Sequence, residues 1–529
     1  MISNKLVECC SLCRQTKGGL LSEVTIPKYL LSSNDVPTPI EVAHMHREIT
    51  EGTRVMDDMD AASIYLTEAL RRLDILRDAL STRLHQCRRV LSPIRKLPVE
   101  ILAEIFLYAS GTSEGRAVKE DLPNLMRSHR YLLGVCKRWR EIAISLQDLW
   151  ACIDIKLGFR DSETSLRNLG CLVDLHLQRS KSSSLYINLI SRNETNVRPF
   201  IDALVPHSSR WQFAHIAVPA ASLQRLIGIK GSLDRLSRLD LSVSDSHSPD
   251  PAVFEMFEFA PMLSSLKLST FVSGQQSIPW LQLTRLELSL SVSQALLVLS
   301  LVPHITECLL SCEYKSFDNL NTPLVVMLPH LRSLHVDGFF GSSVSVLSFL
   351  RTPILESFSL NVLSLQLLDK DTMETTDLVE TLLPFVQRSS QTLNDLTLYG
   401  SSMDEEVFTA LLQLTPNLRR LSFDDHSGLT TSEAVRAQLT YYPDSSTTTY
   451  LIPFLESIKI NVVPTKRFAQ FDSEVFVDMI ESRWRSPISE KLSHIRAVTI
   501  IDNKADSTNS AYTRLKAFQQ EGLQLSLSA

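Results

Sequence analysis

The chain has 529 residues, 44% hydrophobic and 21% charged, with a formal net charge of −6 at pH 7. That balance excludes a disordered polyelectrolyte and gives no general basic surface for nucleic acid, while no apolar run reaches the roughly eighteen residues a bilayer span needs. Nine cysteines without paired spacing, and no apolar h-region after Met1-Ile2-Ser3-Asn4-Lys5, predict reduced thiols in a soluble protein that is cytoplasmic, nuclear or both.

Residues 1–39 read as a flexible N-terminal tail. Cys10 and Cys13 would need two further ligands to hold zinc, and His44 and His46 point different ways on a helix, so no metal is expected. From 40 to 92 the pattern becomes a long heptad helix. Met45, Ile49, Met56, Met59, Leu66, Leu70, Leu73, Leu80, Leu84, Cys87 and Leu91 fall on alternating steps of four and three, and Gly52, Ser63 and Arg77 interrupt the same register. This seam predicts a coiled coil, and hence a homodimer, or else a helix folded back on its own chain. The basic run Arg83, Arg88, Arg89, Arg95 and Lys96 has no interleaved aromatics and reads as a solvated face or a contact for an acidic protein patch.

Residues 93–155 form a different kind of unit. Leu97-Pro98 opens a helix whose Ile101, Leu102, Ile105 and Phe106 share one face; Val135, Cys136, Trp139 and Ala143 repeat that spacing on a second helix. Two such helices bury little against each other, so a small bundle with a face left for a partner is expected.

The run Leu97-Pro98-Val99-Glu100-Ile101-Leu102-Ala103-Glu104-Ile105-Phe106, then Val135-Cys136-Lys137-Arg138-Trp139-Arg140-Glu141-Ile142-Ala143, then Leu149-Trp150, resembles the F-box in the form common in mushroom-type fungi. The connection between the helices, with Gly111-Thr112-Ser113-Glu114-Gly115-Arg116, is longer and more polar than the family form. The resemblance implies docking to a Skp-type adaptor, and through it to a cullin ligase core. Leu97, Pro98, Ile101, Leu102, Ile105, Phe106, Val135, Cys136 and Trp139 would be the adaptor-binding residues.

After Leu149 to Ile155, which read as the start of a strand, residues 156–502 carry a repeated apolar-x-x-apolar-x-apolar phrase. It appears at Leu172 to Leu177 and Leu236 to Leu241, then from Leu263, Leu283, Ile305, Leu331 and Leu355 at steps of 20, 22, 26 and 24. Later copies at Leu393, Leu418 and Leu455 are spaced 38, 25 and 37 apart, which predicts insertions, and Ile495 to Ile500 reads as the last strand. The period is that of leucine-rich repeats, whose x-Leu-x-Leu puts alternate side chains of a short strand into a shared core. The expected fold class is α/β: an N-terminal helical segment and a small helical F-box bundle, followed by an irregular leucine-rich-repeat-like solenoid. Residues 503–529 read as a C-terminal cap or tail, with an amphipathic run at Tyr512 to Phe518.

No phosphate loop, nucleophile elbow, zinc-protease or dinucleotide motif occurs. His207, His215, His304, His330 and His335 are scattered through the repeats. Asn193-Glu194-Thr195 matches a glycosylation sequon by chance, and Asp424-Asp425-His426 reads as a solvated loop. No enzyme activity and no cofactor are expected. The sequence predicts a substrate receptor for a ubiquitin ligase, with an unknown protein substrate held by the repeats and no nucleic-acid or membrane partner. The alternative is an interaction scaffold whose F-box-like bundle only caps the solenoid.

Overall fold

From Cys152 to Ser528 the chain alternates short strands with returning segments; in the main sheet the order of strands along the chain is also their order in space, while Val326–Met327 and Leu350–Arg351 pair with each other apart from it. The computed structural model describes residues 26, 28–110, 131–245, 247, 249–270, 277–312, 325–363, 374–400, 405–425, 432, 435–436, 439–441, 452–462, 473–486, 493–502 and 510–528. It divides into two units, Met1–Pro98 and Val99–Ala529.

The first unit is dominated by one helix, Pro39–Val90, of 52 residues. Its start is fixed by a reciprocal cap: Glu41 N–H donates to Thr38 Oγ1 at 3.4 Å, Thr38 N–H donates to the Glu41 carboxylate at 2.8 Å, and Pro39 sits where no N–H is needed. Pairs one turn apart line its surface, with Arg71 and Arg72 both donating to Glu68 at 2.7 and 2.8 Å. Of the expected tail, Lys28–Ser32 is a short helix whose Tyr29 hydroxyl donates to Glu41 at 2.5 Å; Cys10 and Cys13 lie outside the described residues.

The second unit begins with helices Val99–Ala109 and Lys137–Ser145 and a 3-10 turn, Gln147–Trp150. A parallel sheet of 14 strands follows, each hydrogen-bonded to the next, as in a solenoid-like α/β fold. Register explains why. Leu239, Leu266, Leu286, Cys308, Leu334 and Phe358 lie side by side in one row, and Leu241, Leu268, Leu288 and Leu310 form the next inward row. These residues are all buried in one continuous apolar column that runs from Ile153 to Leu523. A buried leucine contributes about 1.5–3 kcal/mol, too little for one strand to offset its own ordering, so each repeat depends on its neighbours.

Two expectations are corrected. Leu172 to Leu177 is not a strand but part of helix Glu163–Ser180: Ser162 caps it, and Val173 and Leu177 bury one face at four-residue spacing. The strands there are Leu185–Ser191 and Trp211–Val218, and only the second carries the phrase, at Trp211, Ala214 and Ile216. The strand after Ile495, Ala497–Asp502, is not the last, because Gln524–Ser528 pairs with it in parallel after helix Ser510–Gln520. In the widened stretch before Leu393, helix Glu374–Gln387 fills the insertion. Asp444 to Thr449, expected on a later insertion, lie outside the described residues.

One glycine controls how closely two repeats approach. Gly400 follows strand Asp395–Tyr399 with φ of +74°, and a Cβ there would stand 1.8 Å from the carbonyl oxygen of Val362 in the neighbouring repeat.

Among the described residues no helix is long and apolar enough to cross a membrane.

Candidate docking site

Helix Val99–Ala109 is apolar on nearly all sides, so burial must divide its residues. Leu102 and Phe106 are fully buried, with the Phe106 ring centroid 4.8 Å from that of Trp139. Ile101 is 48% exposed and Ile105 38%, and Val99 and Tyr108 are exposed with them. The inward pair therefore holds the two helices together while the outward pair faces solvent.

The second helix departs from its expected pattern. Residues 131–135 are helical, but the chain breaks at Cys136, whose extended backbone starts a new helix and whose Sγ accepts from Trp139 N–H at 3.5 Å. Cys136 is thus an exposed cap and not a buried apolar residue, and Val135 is 55% exposed on the preceding turn. Ile142 and Ala143 supply the buried face in their place, with Trp139 half-buried. Leu97 is half-buried and Pro98 exposed; both belong to the first unit. The polar connection at Gly111 to Arg116 lies outside the described residues.

Trp150 fastens the helix pair to the first strands. Its indole N–H donates to the Ala143 carbonyl at 2.9 Å, its own carbonyl lies 3.2 Å from His176 Nδ1, and the Arg179 guanidinium sits 4.3 Å from its ring. Burial pushes the neighbouring Cys152 thiol up to about 12, and drives those of Cys308 and Cys312 upward too, so these three sulfurs are packing groups at neutral pH.

A second surface needs the strand register to be seen. Asp154, Asn188, His215, Asp240, Lys267 and Glu287 stand next to one another across six strands on the face opposite the apolar column. Asn188 Nδ2 donates to Asp154 at 2.5 Å, and Lys267 pairs with Glu287. Burial lowers the His215 pKa against the opposing pull of Asp240. Further along, His335 pairs with Asp337 at 3.0 Å, and the rings of His304 and His330 lie 5.6 Å apart at matching turn positions. Alternating charges and hydrogen-bonding groups at strand spacing suit a polar peptide or protein surface.

Other residues singled out in the sequence have structural roles. Asn193 caps helix Glu194–Leu204 by accepting from Asn196 N–H at 3.1 Å. Asp424 accepts from Gly400 N–H at 2.7 Å and from Asn461 at 2.8 Å, while His426 lies outside the described residues. Among the described residues no group of three or more His, Cys, Asp or Glu is placed to hold a metal ion.

No protein-family model and no curated protein matches the chain. Among solved structures it is similar to a protein from Bacteroides fragilis, at 12% identity over 60% of this chain and 74% of that one, with a TM-score of 0.32. A likeness that weak carries no argument about fold or function.

Proposed function

We propose that this protein is a non-catalytic substrate receptor of an SCF-type cullin-RING ubiquitin ligase. In this reading residues 93–155 are an F-box that docks on a Skp-type adaptor, and the leucine-rich-repeat-like sheet holds a protein substrate. The observation that carries it is the division of helix Val99–Ala109, with Leu102 and Phe106 turned inward and Ile101 and Ile105 left in solvent. The docking set in the second unit is accordingly Ile101, Ile105 and Val135, supported from behind by Leu102, Phe106 and Trp139, and Leu97 and Pro98 open the F-box run in the sequence. Each large apolar anchor contributes at most about 1.5–3 kcal/mol, and association costs at least about 4 kcal/mol, so three or more anchors must seat together.

The test is capture of the full chain by a purified Skp-type adaptor. Ile101→Asp with Ile105→Asp changes two exposed side chains and is expected to weaken capture at least about a hundredfold without altering circular dichroism. Leu97→Ala with Pro98→Ala is expected to lose capture as well. Full retention by both variants would show that the assigned face is wrong.

The second reading, a scaffold whose helix pair caps the array, is favoured by the Trp150 hydrogen bond that ties Ala143 to the first repeat. It predicts no adaptor capture by the unaltered chain, together with loss of solubility when residues 93–155 are removed.

A further inference from the structure

No residue of helix Pro39–Val90 is buried, and the most regular part of its heptad seam lies open: Leu70 is 63% exposed, Leu73 59%, Leu80 58% and Leu84 49%. In heptad terms Ser63, Leu70, Arg77, Leu84 and Leu91 are a positions and Met59, Leu66, Leu73, Leu80 and Cys87 are d positions. An apolar seam of this length asks for a partner helix, and the charges on either side of it say which one.

The helix is electrically split. Residues 48–68 carry Glu48, Glu51, Asp57, Asp58, Asp60 and Glu68 against Arg54, and residues 69–90 carry Arg71, Arg72, Arg77, Arg83, Arg88 and Arg89 against Asp74 and Asp78. The helix macrodipole explains acids and bases only in the first and last turns, whereas this division runs through the middle. The pairs Glu68–Arg71, Glu68–Arg72 and Asp74–Arg77 lie at the junction and leave an acidic excess before it and a basic excess after it.

We propose that the seam is covered by the same helix of a second copy of this chain, running antiparallel, with the two-fold axis beside residue 75. In that register Leu70 meets Leu80, Leu66 meets Leu84, Ser63 meets Cys87 and Met59 meets Leu91, each layer occurring twice. Arg77 packs beside Leu73 and reaches Asp74 of the other copy, Arg88 faces Asp60, and the two copies of Leu76 meet at the axis. The acidic half of each helix lies along the basic half of its mate. A parallel pair would stack Arg77 on Arg77 inside the seam and set Arg83 against Arg88 at its edge, both repulsive. The proposal does not depend on the receptor reading, because adaptor capture and self-association are measured separately.

The test uses the full chain. Sedimentation at low micromolar concentration is expected to give twice the chain mass, and Leu70→Asp with Leu80→Asp to give the monomer. Mild oxidation of the Ser63→Cys variant is expected to link positions 63 and 87 between copies, identified by peptide mapping. Arg88→Glu is expected to weaken the dimer about tenfold, and adding Asp60→Arg to restore it. Three results overturn the proposal. They are a monomer whose helix is protected from proteolysis, which places it on its own chain; a link between the two copies of Cys87, which makes the pair parallel; and a dimer untouched by the leucine substitutions, which puts the interface elsewhere.

Discussion

His215 shows how a side chain placed by register acquires a measurable property. It stands among Asp240, Lys267, Arg238 and Lys156, and burial is the strongest influence on it, holding its pKa below the usual imidazole value of 6.5. As the pH falls through that value the unfolded chain takes up the proton first, so folding loses stability from there down to the folded-state pKa and keeps it at higher pH. His215→Gln is therefore expected to reduce the loss of stability between about pH 7.5 and 5.5, read from urea midpoints at both values. An unchanged difference would assign the effect to other groups, with His207, also lowered by burial, the first to try.

At the scale of the element, Trp150 links a helix to the sheet through one donor. Trp150→Phe keeps most of the ring and removes the N–H that reaches Ala143, leaving that bond unmade at a cost of about 1–2 kcal/mol. Hydrogen exchange is expected to quicken in residues 137–145 more than in any strand beyond the first. The elements also show what a sequence can and cannot disclose. The main-sheet strands from Arg238 to Asp502 are legible because x-Leu-x-Leu repeats at the right period and each copy must face the same column. Leu172 to Leu177 carries the same letters, yet Ser162 and the four-residue spacing of Val173 and Leu177 make it helical, and local capping prevailed over the phrase. At Cys136 the helical pattern hides a break, because a thiol looks apolar in a sequence, whereas here its sulfur accepts a backbone N–H. The division of Ile101 and Ile105 from Leu102 and Phe106 was beyond reach, since adjacent apolar residues on a short helix differ only in what lies opposite them. The polar row on the sheet is invisible for a related cause: its successive members are 20 to 34 residues apart and become neighbours only through pairing.

For the whole molecule, parallel strands joined in chain order mean that cohesion passes from repeat to repeat with no closure between the ends. Gly400 occupies one of those joints, and its positive φ and the Val362 carbonyl oxygen, which would stand 1.8 Å from a Cβ, leave no room for a methyl group. Gly400→Ala must push Asp395–Tyr399 away from Ser357–Leu363, with a strain of about 1–3 kcal/mol or more concentrated at one coupling. In a one-dimensional array a single weakened coupling acts as a domain wall: order no longer correlates across it, and the two flanking blocks melt at their own temperatures. Calorimetry is expected to resolve two transitions in place of one, and proteolysis at the intermediate temperature to spare residues 152–363 while cutting within 395–528. A single sharp transition at lowered temperature would mean that cooperativity extends further than the nearest neighbour, so that the sheet melts as one crystal and not as a chain of links.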